Sequence, residues 1–288
     1  MRPTAAEPLA LPAADAVMAR AAGENFPVAS WLLPRSEREH LLAIYGFARL
    51  VDELGDSLPG DREQALQWLE RELALAFAGR ATHPLLVRLQ GTLQACRLSP
   101  EPFARLIEAN RVDQRVTRYA TWDDLRSYCA LSADPVGELV LEVFGLATPA
   151  RVALSDSICT ALQLAEHCQD VAEDHAAGRV YLPLEDLERF GCEVQELGAP
   201  HASGPLRGVI AFEVQRSRRL LDAGVPLLGE LRGRPRLGVA GFVAGGRAAL
   251  DAIEAAGFDV LAGAPRAGRR ARLLTFAGTV LTGGRRRR

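Results

Sequence analysis

Apolar residues recur at helical spacing along nearly the whole chain. After Ser36, with Glu39 three residues on in the spacing of a capping box, they fall at Leu41, Leu42, Ile44, Tyr45, Phe47, Ala48 and Val51, and Gly55 offers a stop. Asp61 followed by Gln64 predicts a second start, with a helix running to about Phe77 and ended by Gly79. The same periodicity predicts helices over about 84–96, 100–118, 122–131 and 135–145, the last opened by Pro135 at a first-turn position. The longest, about 150–177, starts near Pro149 and stops at Gly178, a residue suited to a left-handed cap. Shorter helices near 183–190 and 204–222 and a long one over about 236–256 complete the set. Alternating strand patterns and Asn-Gly or Asp-Gly hairpin signals are missing from the sequence, and so is an internal repeat. The expectation is one all-α domain over 15–265, with a flexible arm at 1–14, a Gly/Pro-rich surface loop at 191–205 and a loose basic tail at 266–288.

Composition narrows the class. Of 288 residues, 48% are hydrophobic and 24% charged, ordinary values for a globular protein with a large core. No apolar run reaches the roughly 18–20 residues of a membrane helix. The Pro/Ala-rich start lacks the basic segment of a secretory signal. Cys96, Cys129, Cys159, Cys168 and Cys192 are odd in number and scattered, which predicts reduced thiols in a cytoplasmic protein. A net charge of −2 argues against a nucleic-acid partner. The charge is unevenly spread, however. No acid follows Asp259, while the tail carries Arg266, Arg269, Arg270, Arg272 and four arginines at 285–288. This end reads either as solvated or as a weak anchor on an anionic inner membrane face, at about 1 kcal/mol per basic residue near the surface.

The chemistry-bearing signal is a repeated acidic spacing. Asp52 with Asp56, and Asp170 with Asp174, each lie near the end of an apolar helical segment. A four-residue step puts both carboxylates on one helix face, where they repel each other and oppose the helix dipole at roughly 0.3–1 kcal/mol per charge. Glu166 extends the second pair by one turn, and Glu173 adjoins it. A solvated acidic face is the plain alternative. The apolar setting (Ile158, Leu162, Leu164, Val171), the recurrence of the spacing and the nearby Arg179 and Tyr181 favour metal binding. Mg²⁺ prefers carboxylate oxygen and keeps substrate phosphates and water as its other ligands, so about two to three ions with a diphosphate substrate fit two such walls. Arg49, three residues before Asp52, and Arg179 suit the departing anion, because a guanidinium meets phosphate at two points. His167 reads as a packing or supporting residue, since magnesium favours oxygen. Tyr45, Tyr128 and Tyr181 read either as core aromatics or as substrate contacts. No G-x-S-x-G, P-loop or G-x-G-x-x-G motif is present, and Gly241, Gly245 and Gly246 suit close helix packing.

Several segments carry a family likeness: ENFPVASWLLP (24–34), IYGFARLVDELGD (44–56), VTRYATWDDLRSYC (116–129), SADPVGELVLEVFG (132–145), LQLAEHCQDVAEDHAAGRVYLPLEDL (162–187) and AGFDVL (256–261). On these the chain resembles the squalene/phytoene synthases, and within them the hydroxysqualene synthases of bacterial hopanoid biosynthesis. The resemblance implies the all-α isoprenoid-synthase bundle (class I terpenoid synthase) with a central cavity. It implies that Asp52, Asp56, Asp170 and Asp174 are catalytic magnesium ligands, with Glu166 beside them. It also implies that Ser30, Tyr45, Arg49, Tyr128, Gln163, Arg179 and Tyr181 line the substrate site. The implied reaction is Mg²⁺-dependent conversion of presqualene diphosphate to hydroxysqualene with loss of diphosphate. No NADPH is needed, and pathway enzymes are the implied partners. A head-to-head prenyltransferase making presqualene diphosphate or phytoene, and a non-catalytic scaffold, are the alternatives. The sequence departs from the pattern at Glu166, where many relatives have Asn, and at His167 and Cys168, where aromatic residues are expected. These changes bear on the cavity beside the second acidic pair.

Overall fold

Side chains repeating at i, i+3, i+4 and i+7 give each helix an apolar stripe, and burying those stripes against one another builds the fold. The computed structural model describes residues 11–19, Leu33 and 35–283. Among them α1 (Ala14–Ala19) and α2 (Arg35–Asp52) lead into a π-helical turn at Glu53–Ser57. Then come α3 (Arg62–Phe77), α4 (Pro84–Cys96), α5 (Glu101–Asp113), α6 (Trp122–Ser132) and α7 (Asp134–Val143). The second half holds α8 (Pro149–Gln169), α9 (Val171–Ala176), α10 (Leu184–Phe190), α11 (Gly204–Gly224), α12 (Leu227–Glu230), α13 (Gly233–Ala255) and α14 (Arg269–Thr282). The expected all-α bundle is thus observed. The extended pairing among the described residues is one isolated parallel bridge, Arg118 to Val180.

Local chemistry sets most helix starts. Asp61 accepts from the Gln64 amide at 2.9 Å, Thr121 and Asp124 form a capping box, and Ser203 accepts from the Leu206 amide. Proline occupies the first turn of α4, α5, α7, α8 and α11, where its missing N–H removes no helical bond. The capping box expected at Ser36 does not form. The helix already starts at Arg35, Ser36 donates to Glu37, and Glu39 pairs with Arg35.

Two apolar cores meet along a seam. The first gathers α2–α5 around Phe47, Leu50, Leu69 and Phe103, with Phe103 edge-on to Phe47 at 5.1 Å. The second gathers α8 and α10–α13. Helix α7 serves both, giving Leu139 to one and Leu141 to the other. A smaller aromatic cluster, Tyr119, Tyr128 and Tyr181 with Leu164, lies between them. Helices α8 and α11 approach closely: Ser217 donates to the Ala161 carbonyl at 2.7 Å, and Gly224 sits against the Leu154 carbonyl and Ile158. Gly246 of α13 likewise meets Leu162, the packing role expected of that glycine group.

Three sequence expectations need correction. Gly55 does not end α2; the helix widens there into the π turn, closed by Leu58 N–H to the Glu53 carbonyl at 3.0 Å. The predicted 150–177 helix kinks at Asp170, where φ is −103° and ψ is 15°. The Asp170 amide closes α8 on the Glu166 carbonyl (2.9 Å) and the Asp174 amide opens α9 on the Asp170 carbonyl (2.8 Å), so the helical ladder is interrupted at Asp170 and restarts beyond it. The tail expected to be loose at 266–288 is helical over Arg269–Thr282, with Phe276 and Val280 packed against the second core. At the other end, α1 begins at Ala14, and Leu11 and Ala14 already pack on the first core.

Gly224→Ala should test the α8–α11 seam. A Cβ there would lie 2.6 Å from the Leu154 carbonyl oxygen and 2.5 Å from Ile158, so the helices must separate. Urea unfolding is expected to show a loss of about 1–3 kcal/mol.

Candidate active site

The seam encloses a cavity of about 670 Å³. Its walls come from α2, the π turn, α5–α9 and α13. One part is polar: Asp52, Asp56, Asp113, Glu166, Asp170, Glu173 and Asp174, with Arg49 and Arg179 among them. Other lining residues are apolar, including Leu106, Val140, Leu141, Ile158, Leu162 and Phe242. The two acidic pairs, 118 residues apart from Asp52 to Asp170, therefore face one space.

The fold aims each pair differently. Asp52 ends α2 and Asp56 lies in the π turn, whose extra residue per turn displaces Asp56 relative to a regular helix. Gly55 makes that turn possible, because a Cβ there would fall 2.0 Å from the Asn110 side-chain oxygen of α5. Gln114 clamps the same contact, donating to the Gly55 carbonyl at 2.9 Å and the Asn110 carbonyl at 3.0 Å. Across the cavity the kink puts Asp170 between α8 and α9, with Asp174 on the following turn. Arg179 bridges the walls, donating to Asp56 at 2.6 Å, and Arg49 donates to Asp52 at 3.4 Å. The Arg49 Nε is buried without a partner.

Behind the carboxylates stands an aromatic platform. Tyr128 and Tyr181 donate their hydroxyls to the two oxygens of Asp113, at 2.7 and 3.1 Å. Backbone bonds from Val180 to Thr117 and from Leu184 to Tyr119 bring the 180–184 segment alongside 117–120 and set Tyr181 beside Tyr119. His167 stacks flat on Tyr181, with ring centroids 4.1 Å apart and planes 8° apart. Gln163 lies 3.4 Å from the His167 ring nitrogen. His167 thus occupies an aromatic place with an imidazole. Cys168, in contrast, points into the second core and does not line the cavity, so only His167 of that pair shapes it.

Desolvation dominates the electrostatics. Burial raises Asp174 to about 7, with Asp170 adding repulsion and Arg179 opposing. Burial raises Asp52 to about 6 despite Arg49, and Asp113 to about 6 despite its tyrosine donors. Burial also raises Asp170. The Asp52 side chain keeps 46% of its surface open, yet that surface faces a recessed cavity, and we take its environment as poorly solvated. Burial lowers His167 to about 3, so its ring is neutral at neutral pH.

Seven acidic groups against two guanidinium groups leave a large negative excess that an anionic substrate alone would worsen. Among the described residues no three His, Cys, Asp or Glu side chains converge tightly enough to hold a metal by themselves. Carboxylate walls of this kind fit Mg²⁺, which binds through one or two carboxylates and completes its shell with phosphate oxygens and water. The donor set is oxygen, and the orphaned Arg49 Nε suits an anion arriving with the cations.

Of the residues expected at the site, Tyr45, Arg49, Asp52, Asp56, Tyr128, Gln163, Glu166, Asp170, Asp174, Arg179 and Tyr181 all line this cavity. Ser30, and with it most of the 24–34 segment, lies outside the described residues. Sequence reasoning missed Asn110 and Asp113. Their signal was a polar i, i+3 pair on the apolar face of a helix that carries Leu106 and Ile107. The 132–137 segment also lines the cavity, through Ser132, Ala133, Val136 and Gly137.

The family model for squalene/phytoene synthase matches residues 19–276. A hydroxysqualene synthase of Rhodopseudomonas palustris is 36% identical over 210 residues, covering 73% of this chain and 72% of that protein. A 15-cis-phytoene synthase of Synechocystis is 33% identical over 213 residues, covering 69% of this chain and 63% of that one. The crystal structure of squalene synthase HpnC from Alicyclobacillus acidocaldarius superposes with a TM-score of 0.79 at 46% identity, covering 85% of this chain and 94% of that chain.

The raised carboxylates give a stability prediction for the metal-free protein. A folded-state pKa above the unfolded value stabilises at low pH, and that contribution is lost as pH rises through the folded pKa. For Asp52, Asp113 and Asp174 the loss runs from the ordinary carboxylate range to about 7. Asp174→Asn should therefore melt at a higher temperature than the native chain at pH 7 without divalent ions. The difference should shrink toward pH 4, as read by thermal denaturation across that range.

Proposed function

The chain belongs to the squalene/phytoene synthase family, and on that premise we propose that it converts presqualene diphosphate to hydroxysqualene with release of diphosphate. The observation that carries this reading is one cavity with an acidic, arginine-bearing part and extensive apolar walls. The relatives named hydroxysqualene synthase give it direction. The volume of about 670 Å³ lies within the range of pockets that enclose a large ligand.

The proposed magnesium holders are Asp52 and Asp56 on one wall and Glu166, Asp170 and Asp174 on the other. When bound, about two to three Mg²⁺ ions would neutralise the diphosphate and make it a better leaving group. Arg49 and Arg179 bind the departing anion, which takes the electron pair of the broken C–O bond. Their present contacts with Asp52 and Asp56 hold both guanidinium groups at the acidic part before substrate arrives. The apolar walls surround the hydrocarbon and keep bulk water from the cation.

Tyr128 and Tyr181 line the cavity, and electron-rich rings near a developing cation attract its charge. The neutral state of His167 matters here, because an imidazolium stacked on Tyr181 would repel a carbocation. One water oxygen then forms the new C–O bond. The proton it loses is assigned to Asp113, a carboxylate outside both acidic pairs, held in place by two tyrosine hydroxyls. Because water and not hydride ends the sequence, the reading uses no NADPH.

Purified protein given presqualene diphosphate and Mg²⁺ should release hydroxysqualene. Consumption of farnesyl diphosphate alone, yielding presqualene diphosphate or phytoene, would replace this reading with the prenyltransferase one. No Mg²⁺-dependent binding of a diphosphate analogue would point to a scaffold. Asp170→Asn should reduce turnover by roughly 10²–10³-fold with the fold intact. Retained activity with a large fall in melting temperature would assign that carboxylate a structural role instead.

A further inference from the structure

Helix α14 is apolar on two opposite sides. One side packs inward: Thr279 is buried, Phe276 touches Gly241 of α13, and Val280 joins the second core. On the far side Arg270, Leu274, Ala277 and Leu281 fall in one line at i, i+4, i+7 and i+11, with Leu273 flanking it. Leu273, Leu274 and Leu281 are 68%, 75% and 86% exposed. They make up three of the five exposed large hydrophobic residues among the described ones; the other two, Val87 and Val136, are isolated on other elements. The line spans about 16 Å along the helix at about 1.5 Å per residue.

We propose that this outer face of α14 docks on an anionic lipid surface, with its leucines inserted at the headgroup boundary. Charge selects this occupant. Arg270 stands in line with the leucines, four more arginines follow in the sequence at 285–288, and no acidic residue occurs after Asp259. A two-fold dimer through the same face would set these arginines against their own copies with no carboxylate from the segment to answer them. Negative headgroups answer all of them at once. A helix lying in the membrane plane with leucine on one side and arginine beside it is the geometry of interfacial binding. No helix of the described residues is long and apolar enough to cross a bilayer, so the contact is peripheral. This face is distinct from the cavity, and its docking does not depend on the reaction assigned above.

The test is co-sedimentation of the full chain with vesicles of phosphatidylcholine plus phosphatidylglycerol, compared with phosphatidylcholine alone. The native chain should bind the anionic vesicles and lose affinity as salt rises. The double variant Leu274→Ser/Leu281→Ser should bind about tenfold more weakly or worse, with an unchanged melting temperature because both side chains are exposed. Arg270→Gln should weaken binding by about fivefold and flatten its salt dependence. The proposal is overturned if the native chain ignores anionic vesicles or if the leucine variant binds as well as the native chain. It is also overturned if sedimentation velocity shows a dimer that the leucine variant dissolves, which would make the face a protein interface.

Discussion

Like-charge repulsion between carboxylates that must share one poorly solvated space is the constraint on which this structure turns. Two carboxylates about 6 Å apart repel by about 3 kcal/mol at an effective dielectric of about 20, and seven acidic groups line this cavity. Asp56 and Glu173 are exposed, but Asp52, Asp113, Asp170 and Asp174 are not relieved in that way. Two apolar cores, each with fully buried leucines and valines, hold the walls in place, and burial drives Asp52, Asp113 and Asp174 toward neutrality. A site so arranged stores electrostatic strain that cations and an anionic ligand can release together, which is how a folded frame is traded for affinity.

The same constraint explains the irregular backbone around the site. A regular α2 would end at Gly55 or continue unchanged; the π turn does neither and displaces Asp56 within the wall. A regular α8 would run through Asp170, yet it breaks there and restarts as α9. Both departures coincide with an acidic pair, as expected where local geometry serves a site and the surrounding packing holds it.

The aromatic platform gives the walls a second function. Asp113 receives two tyrosine hydroxyls, and His167 lies flat on one of those rings. In consequence the cavity is lined by carboxylate oxygens in one part and by neutral aromatic rings nearby. His167 offers a neutral stacking surface because burial keeps the imidazole uncharged. Away from the cavity, α14 shows another division of labour, one side completing the core and the other left apolar with Arg270 in line with its leucines.

The sequence by itself determined the helices, because a stripe repeating every three to four residues can be buried only in a helix; α4 and α6 fall within a residue of their predicted bounds. It also singled out the four paired aspartates that the fold brings to one cavity, since paired acids in apolar surroundings signal their cost locally. Tertiary structure alone decided what stands between and behind them. Asn110 and Asp113 became site residues because α5 packs against the π turn, and Tyr181 met Tyr119 and His167 through a bridge between segments about 60 residues apart. The kink at Asp170 and the docking of α14 likewise depend on neighbours distant in sequence. Periodicity and propensity report a residue's preference within its own helix, whereas burial, charge and register depend on what the rest of the chain brings to that place.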